Sequence, residues 1–254
     1  MLHSVQDLRR FTVAASDGDV GTLDDLLFDD RSSKVRFLVV DVGGFLTRKP
    51  VLIAPEQVER VTTERRSIHV GADRATLEAS PPLDEHPPVS RQTEHRVREY
   101  FGLAPVVATV PRHEMTFWGA LPDTATDEKV QAEIAAREDE RREQDPYLRS
   151  AKEVIGYDVE GTDAHLGDVD DLLVDTVDDW HLSYLVVDTG RWLPGKRRLV
   201  GTDMLAAVAY GAGKIQLNAP RAKMADAPDF EEAEGVDRTA ESRLYRYWGF
   251  TPRW

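Results

Sequence analysis

The acidic stretch at 17–21, DGDVG, has the composition of a calcium-binding loop. An EF-hand loop needs a third oxygen ligand at its fifth position and a bidentate Glu at its twelfth. Gly21 and Phe28 occupy those positions, and neither offers a side-chain oxygen. We therefore expect a polar turn here, followed by solvent-facing Asp residues in a strand.

The stretch at 211–214, GAGK, contains the glycines and the lysine of a phosphate-binding loop. A Walker loop also needs Gly five residues before its second Gly, and Ser or Thr after the Lys. Val208 and Ile215 stand at those places. The sequence therefore predicts an ordinary turn and no nucleotide site.

Histidines and serines show no catalytic or metal-ligating spacing. The seven histidines are His3, His69, His86, His95, His113, His165 and His181. None pairs at i,i+4, and neither an H-E-x-x-H helix nor a G-x-S-x-G elbow occurs. We expect no catalytic residue, no metal site and no cofactor, so the protein is predicted not to be an enzyme.

The composition narrows the class of protein further. The 254 residues carry a net charge of −14 and no cysteine. The charge argues against nucleic-acid binding, because phosphate contacts need a basic face. Without cysteine there is no disulfide, thiolate zinc site or cysteine nucleophile. No apolar run resembles a secretory signal or a membrane span. We therefore expect a cytoplasmic protein without membrane insertion.

The sequence contains an internal duplication. Residues 17–30 align with 163–176 at an offset of 146, and 37–42 (FLVVDV) align with 184–189 (YLVVDT) at an offset of 147. The second offset carries Glu94, Arg96, Tyr100, Gly102 and Pro105 onto Glu241, Arg243, Tyr247, Gly249 and Pro252. The period is far longer than that of a solenoid repeat, so it indicates a duplicated domain. We expect domains at 1–105 and 148–254, joined by a linker at 106–147 with a solvated helix at 127–144.

Each copy reads as short strands followed by a helical tail. Runs rich in β-branched residues between turn residues predict strands at 20–28, 35–42, 50–54 and 67–70, and at 166–174, 182–188, 198–201 and 214–218. Gly167 predicts a bulge or sharp bend. Apolar spacing predicts helices at 91–101 and 238–248, which end at Gly102 and Gly249. The Pro-rich stretch at 80–88 is expected to be an extended connector.

Both copies carry the same ordered set of residues. The first has Gly21, Asp24-Asp25-Leu26, LVVD at 38–41, Gly43 and VLIAP at 51–55. The second has Gly167, Asp170-Asp171-Leu172, LVVD at 185–188, Gly190 and Trp192. This order resembles the PRC-barrel domain, the small β-barrel of the photosynthetic reaction centre H subunit and of the ribosome maturation factor's C-terminal half. The resemblance covers about 200 of the 254 residues, and the tails resemble those of longer bacterial members.

The resemblance implies a mainly β protein, with two PRC-type small β-barrels in tandem, helical tails and a pseudo-twofold relation. It also implies protein–protein contact through the barrel surface, and no catalytic residues. Two departures qualify it. Gly201-Thr202 replaces the Pro expected after the strand at Leu199, and no transmembrane anchor precedes either barrel. A photosynthetic role is therefore not expected.

Two groups of residues are candidates for partner binding. The first is an aromatic and basic loop in each copy, with Phe45, Arg48 and Lys49 in one and Arg191, Trp192, Arg197 and Arg198 in the other. Aromatic and Arg side chains often anchor interfaces, although Phe45 and Trp192 could instead fold back as barrel lids. The second group is the aromatic tail, with Tyr247, Trp248 and Trp254. The tails either cover their own barrels or cross between copies or chains.

These observations predict a non-catalytic adaptor or scaffold that binds a protein partner or itself. The alternative, from another functional class, is a sensor that binds a small molecule or an ion in the cleft between the two barrels. Ligand-dependent thermal stabilisation would distinguish the sensor from the adaptor.

Overall fold

The structure is a computed structural model, and it describes residues 1–42, 49–81, 83, 89–106, 147–177, 180–190, 192–230 and 238–249. The linker helix expected at 127–144 and most of the connector at 80–88 lie outside these residues. Within them, each copy builds the same series of elements in the same order.

The first copy contributes seven strands and three helices. The strands are β1 (Leu2–Ser4), β2 (Thr12–Ala15), β3 (Gly18–Asp29), β4 (Val35–Asp41), β5 (Pro50–Ile53), β6 (Val58–Thr62) and β7 (Ser67–Val70). The helices are α1 (Val5–Leu8), α2 (Arg74–Glu78) and α3 (Arg91–Tyr100).

The second copy repeats this series. Its strands are β8 (Leu148–Ser150), β9 (Asp158–Glu160), β10 (His165–Asp175), β11 (His181–Asp188), β12 (Arg197–Gly201), β13 (Leu205–Ala209) and β14 (Lys214–Leu217). Its helices are α4 (Ala151–Val154), α5 (Arg221–Ala225) and α6 (Arg238–Trp248).

Two curled sheets result, and they share one topology. The first runs β5-β4-β3-β2-β7-β6, and the second runs β12-β11-β10-β9-β14-β13. In each sheet one pair is parallel, β2 with β7 and β9 with β14, and every other pair is antiparallel. β6 and β13 therefore form one edge of their sheets. The expected tandem, mainly β architecture is confirmed.

The interior residues of the two sheets form a continuous apolar core. It takes the alternate residues of the long strands, such as Leu26 and Leu38 in one copy and Leu172 and Leu185 in the other. Val5 and Leu8 of α1 belong to the same cluster. Because burial of apolar side chains is the main stabilising contribution to folding, packing between the copies contributes to the stability of both.

The glycine shared by the two copies lets two strand backbones approach each other. A Cβ at Gly21 would lie 1.9 Å from the carbonyl oxygen of Asp41, and one at Gly167 would lie 2.2 Å from that of Asp188. Gly167 also has a φ of +149°. The bend expected at Gly167 is confirmed, since the β9–β10 register shifts between His165 and Gly167.

Each tail helix covers the sheet of its own copy. Val97 of α3 packs with Leu27, Phe37 and Leu52 on the outer face of the first sheet. In the second copy, the Tyr184 hydroxyl donates to Glu241 Oε1 of α6 at 2.7 Å. The alternative in which the tail helices cross between the copies is not what the structure shows.

The predicted strands and tail helices are confirmed to within two residues at each end. Gly102 and Gly249 adopt φ of +64° and +88° and end the tail helices as predicted. The sequence analysis missed β1, β2, β6, their counterparts β8, β9 and β13, and the short helices α1, α2, α4 and α5.

Candidate functional site

The first strand of each copy pairs with the sheet of the other copy. β1 lies antiparallel to β10, with His3 opposite Val174. β8 lies antiparallel to β3, with Arg149 opposite Phe28. The exchange is reciprocal, and it joins the two barrels through main-chain hydrogen bonds.

A buried aspartate of each barrel fastens the exchanged segment of the other copy. Ser150 caps α4, accepting from Glu153 N at 3.0 Å, and its hydroxyl donates to Asp25 Oδ2. Asp25 Oδ1 accepts from Lys152 N at 2.9 Å and from Leu26 N at 2.8 Å. The carboxylate therefore holds both the cap and the first turn of the incoming helix.

The second copy has the equivalent contact. Ser4 caps α1, and its hydroxyl donates to Asp171 Oδ2. Asp171 Oδ1 accepts from Gln6 N at 3.1 Å and from Leu172 N at 2.7 Å. The repeated Asp-Asp-Leu signature thus carries a contact between the copies.

The expectation that the strand aspartates face solvent is wrong for Asp25 and Asp171. They are only 6% and 8% exposed, because α4 and α1 cover them. Desolvation by burial raises the pKa of both carboxyls, although their hydrogen bonds to serine and backbone N–H groups oppose it. The polar turn expected at 17–21 is shorter than predicted: it ends at Asp17, whose Oδ1 accepts from Arg74 N at 2.9 Å, and residues 18–21 belong to β3.

The exchange creates two clefts at related positions of the junction. The first cleft lies beside β6 and has a volume of about 600 Å³. Its lining includes the cationic side chains Lys34, Arg36, Arg60 and Arg98. Arg36 pairs with Asp29 at 3.2 Å, and Arg98 pairs with Glu56 at 2.8 Å.

The second cleft lies beside β13 and has a volume of about 550 Å³. Its lining is mostly apolar and includes Leu205, Val208 and Tyr210. The Arg149 guanidinium stacks over the Tyr210 ring at 4.4 Å and pairs with Asp30 at 3.1 Å. Burial raises the pKa of the Tyr210 hydroxyl. The two clefts therefore lie at equivalent positions in the two copies, but their linings differ in charge and polarity.

Edge strands β6 and β13, which border these clefts, differ in charge. β6 exposes Glu59 and Arg60, whereas β13 has Ala206 and Ala207 at the equivalent positions, both exposed. Both strands carry a one-residue register shift at this point. The difference thus lies in the side chains and not in the backbone.

The loop residues predicted to bind a partner are placed as follows. Trp192 folds back on its own barrel: its Nε1 donates to Leu166 O at 2.8 Å, and Arg221 lies 5.0 Å from the ring centroid. This is the lid arrangement. Lys49 donates to the Glu78 carbonyl, and Arg197 pairs with Asp170 at 3.0 Å.

Arg198 and Trp248 are buried within the second copy, at 4% and 5% exposure. Arg198 donates to Met224 O and pairs with Asp229. Trp248 Nε1 donates to Leu199 O at 3.3 Å, so this ring belongs to the barrel core. As placed, neither side chain is accessible to a partner.

Tyr247 is half-buried beside Trp248, and its hydroxyl donates to Lys223 O at 2.5 Å. The other predicted partner-binding residues, Phe45, Arg48, Arg191 and Trp254, lie outside the described residues. For these four, the interface role stays a prediction.

Among the residues that the structure describes, one cluster could hold a metal ion, and the sequence analysis did not predict it. A ligand atom of Asp158, one of His165 and one of Asp168 all lie within 4.8 Å of one another. The signal was available only through the pairing of β9 with β10, and β9 was not predicted.

The fold defines a class: a duplicated small β-barrel whose two copies exchange their first strands. A search with family models agrees, since the PRC-barrel domain model matches residues 2–77 and 148–224, together more than half of the chain. The chain belongs to the PRC-barrel family, as its resemblance implied.

A search of the curated proteins finds no match to this chain. In the part of the chain that the structure describes, no helix is long and apolar enough to cross a membrane.

Proposed function

We propose that this protein is a non-catalytic interaction module of the bacterial cytoplasm, which binds an extended segment of a partner protein along β13 and the second cleft. The contrast between β6 and β13 carries the proposal. A free sheet edge attracts further strands, and exposed charges on the edge prevent such pairing. Glu59 and Arg60 protect β6 in this way, whereas Ala206 and Ala207 leave β13 unprotected.

The chemistry of the second cleft indicates the kind of partner. The main-chain N–H and C=O groups of an edge strand can pair with the backbone of an extended peptide, and the pockets beside the strand select the peptide's side chains. The lining offers apolar surface at Leu205 and Val208, with the guanidinium groups of Arg31 and Arg149 against one carboxylate, Asp30. The partner segment is therefore an apolar, extended peptide that carries an acidic residue. Tyr210 stacked with Arg149 is the kind of pair that anchors interfaces.

Selection from a displayed random-peptide library tests this proposal, with affinities of the selected peptides measured by fluorescence anisotropy. The test variant is Ala206→Glu/Ala207→Arg, which gives β13 the charges of β6. The companion variant is Glu59→Ala/Arg60→Ala, which gives β6 the uncharged side chains of β13 and should leave peptide binding at β13 intact. We expect enriched peptides to be apolar with an acidic residue, and to bind the test variant about tenfold more weakly, since two cross-strand pairs, each worth up to about 1 kcal/mol, are replaced by charges that disfavour edge pairing.

Equal affinity for wild type and test variant would contradict docking at β13. If the selected peptides instead lose affinity for a Phe45→Ser/Trp192→Ser variant, the protein is still an adaptor, but its peptide-binding surface lies at these loops. An experiment in which no peptide is enriched would count against an adaptor that reads extended segments.

A sensor of small anionic molecules is the second candidate, and the first cleft favours it. Its volume of about 600 Å³ is typical of small-molecule sites. Four cationic side chains line it against Glu56 and Glu59, in a chain of net charge −14. A thermal-unfolding screen with anionic metabolites tests it, because a ligand at 100 times its Kd adds about 2.7 kcal/mol of stability. The shift should disappear in Arg60→Ala and persist in Ala206→Glu/Ala207→Arg.

A further inference from the structure

Strands β9 and β10 bring four ionisable side chains together outside both clefts. Asp158 lies opposite Asp168, and Glu160 lies opposite His165. One ring nitrogen of His165 and one oxygen from each of Asp158 and Asp168 lie within 4.8 Å of one another. All four residues are partly exposed, so an ion can reach them from solvent.

The facing aspartates form a pair that strand pairing alone disfavours. Like charges directly opposite each other destabilise a sheet, whereas Thr–Thr pairs stabilise it. The first copy has such a favourable pair at the equivalent positions, Thr12 opposite Thr22. The second copy therefore has two carboxylates where the same fold is stable with neutral side chains, and a cation between them would offset their repulsion.

The position of His165 supplies a second, independent observation. The His165 side chain is 23% exposed, but its Nε2 atom is covered, makes no hydrogen bond and lies 3.6 Å from Asp168 Oδ1. That separation is too long for a hydrogen bond. It is close to the ~3.4 Å between two ligands of one tetrahedral ion, which follows from metal–ligand bonds of about 2.1 Å.

The other ring nitrogen faces a carboxylate as well. Nδ1 of His165 lies 3.7 Å from Glu160 Oε1, which in turn lies 3.7 Å from Lys214 Nζ. A histidine that binds a metal commonly presents its second nitrogen to a carboxylate, which orients the ring. At 3.7 Å, however, the contact with Glu160 is longer than a hydrogen bond, so Glu160 acts on the ring only through its charge.

We propose that Asp158, His165 and Asp168 bind a divalent first-row transition-metal ion of the Zn²⁺ class. Imidazole with carboxylates suits such ions, whereas Mg²⁺ and Ca²⁺ prefer oxygen ligands alone. Three protein ligands leave a coordination position open to water. The first copy lacks the site, because Thr12, Asp19 and Thr22 occupy the equivalent positions.

Isothermal titration of the untagged, EDTA-treated chain tests the proposal with ZnCl2, and with MgCl2 for comparison. We expect one equivalent of Zn²⁺ to bind and no saturable binding of Mg²⁺. Asp158→Thr/Asp168→Thr, which installs the residues of the first copy, should weaken Zn²⁺ binding at least about 100-fold. Glu160→Gln should weaken it much less than the double Thr variant does, because Glu160 acts on the ring only through its charge. Asp19→Asn/His69→Gln in the first copy should bind as the wild type does.

Thermal unfolding without metal keeps this test decisive. The double Thr variant should unfold at or above the wild-type midpoint, since it removes the repulsion between two aspartates. Lost binding in a folded variant then reports lost ligands. The proposal is overturned if Zn²⁺ does not bind at one equivalent, or if the double Thr variant retains wild-type affinity.

Discussion

Replacing Asp25 by alanine is the perturbation for which the structure makes the most detailed prediction. The carboxylate is 6% exposed and accepts three hydrogen bonds, two from backbone N–H groups and one from Ser150. Two of the three donors, Lys152 N and the Ser150 hydroxyl, belong to the other copy. Asp25→Ala therefore removes one side chain and loosens the exchanged segment.

The magnitude follows from the donors left without an acceptor. Each buried donor without a partner costs about 1–3 kcal/mol. Two backbone N–H groups and the Ser150 hydroxyl lose this acceptor. Removing a carboxyl whose pKa is raised by burial recovers part of this loss. The expected net cost is about 2–4 kcal/mol, which lowers the midpoint of a chain of this length by roughly 4–16 °C.

Thermal and urea unfolding would measure this effect, with two companion variants. Asp25→Asn keeps one acceptor oxygen and removes the buried charge, so it should cost about 1 kcal/mol or less. Asp19→Ala is the control, because Asp19 is exposed on the same strand. A double-mutant cycle of Asp25→Ala with Ser150→Ala should give a coupling free energy above about 0.5 kcal/mol.

An Asp25→Ala variant as stable as Asp19→Ala would refute the assignment of Asp25 as the fastening group. Additive effects of Asp25→Ala and Ser150→Ala would refute the contact between the copies, even if each variant were destabilised.

Two further predictions concern the shared glycine and the pH dependence. Gly167→Ala should lower the free energy of unfolding in urea by about 2–4 kcal/mol, because its Cβ would lie 2.2 Å from the Asp188 carbonyl at a φ of +149°. Gly211→Ala is the control: its Cβ meets no atom within 4 Å, so the free energy of unfolding should change by less than about 1 kcal/mol. Because burial raises the pKa of Asp25 and Asp171, the folded state holds protons that the unfolded state has already released above pH 4, so the free energy of unfolding should fall as pH rises through the folded pKa values. An Asp25→Asn/Asp171→Asn variant should lose this fall in the free energy of unfolding. A variant with the pH profile of the wild type would contradict the prediction.

The strands and tails could be predicted because their signals are local. A run such as Leu182–Val187 has the composition of a strand wherever it lies, and an offset that holds from residue 37 to residue 105 reveals the duplication. The helix-capping signals are local too. Ser4 and Ser150 each precede an acidic residue at the third following position, which is typical of a helix start.

The exchange could not be predicted from these patterns. Strand β1 has only three residues, and β3 and β10 offer it equivalent edges. Which edge it takes depends on the packing of α1 against both barrels, a long-range property. The burial of Asp25 could not be predicted either, because the group that covers it lies 125 residues away.

Site residues were harder to predict for a related reason. An aromatic or Arg side chain has the same composition signal whether it anchors an interface or closes a core. Trp248 lies four residues after Leu244, a helical spacing that favoured the core, and the structure places it there. The cluster around His165 depended on strand register, which the sequence does not reveal when one of the two strands is missed.

The exchange also explains why the functional candidates lie at the junction. Both clefts are lined by residues of both copies, so the tandem arrangement builds them and a single barrel would not. The duplicated sequence could then diverge at one cleft without disturbing the other. The charged edge of β6 and the uncharged edge of β13 are an instance of such divergence.

Cross-linking tests the reciprocal exchange most directly, because the chain has no cysteine of its own. In the exchanged arrangement His3 lies opposite Val174, whereas pairing of β1 with its own barrel would place it opposite Phe28 instead. His3→Cys/Val174→Cys should form an intramolecular disulfide under mild oxidation, detected by peptide mass spectrometry, and His3→Cys/Phe28→Cys should not. A disulfide in the second variant and none in the first would contradict the reciprocal exchange of strands.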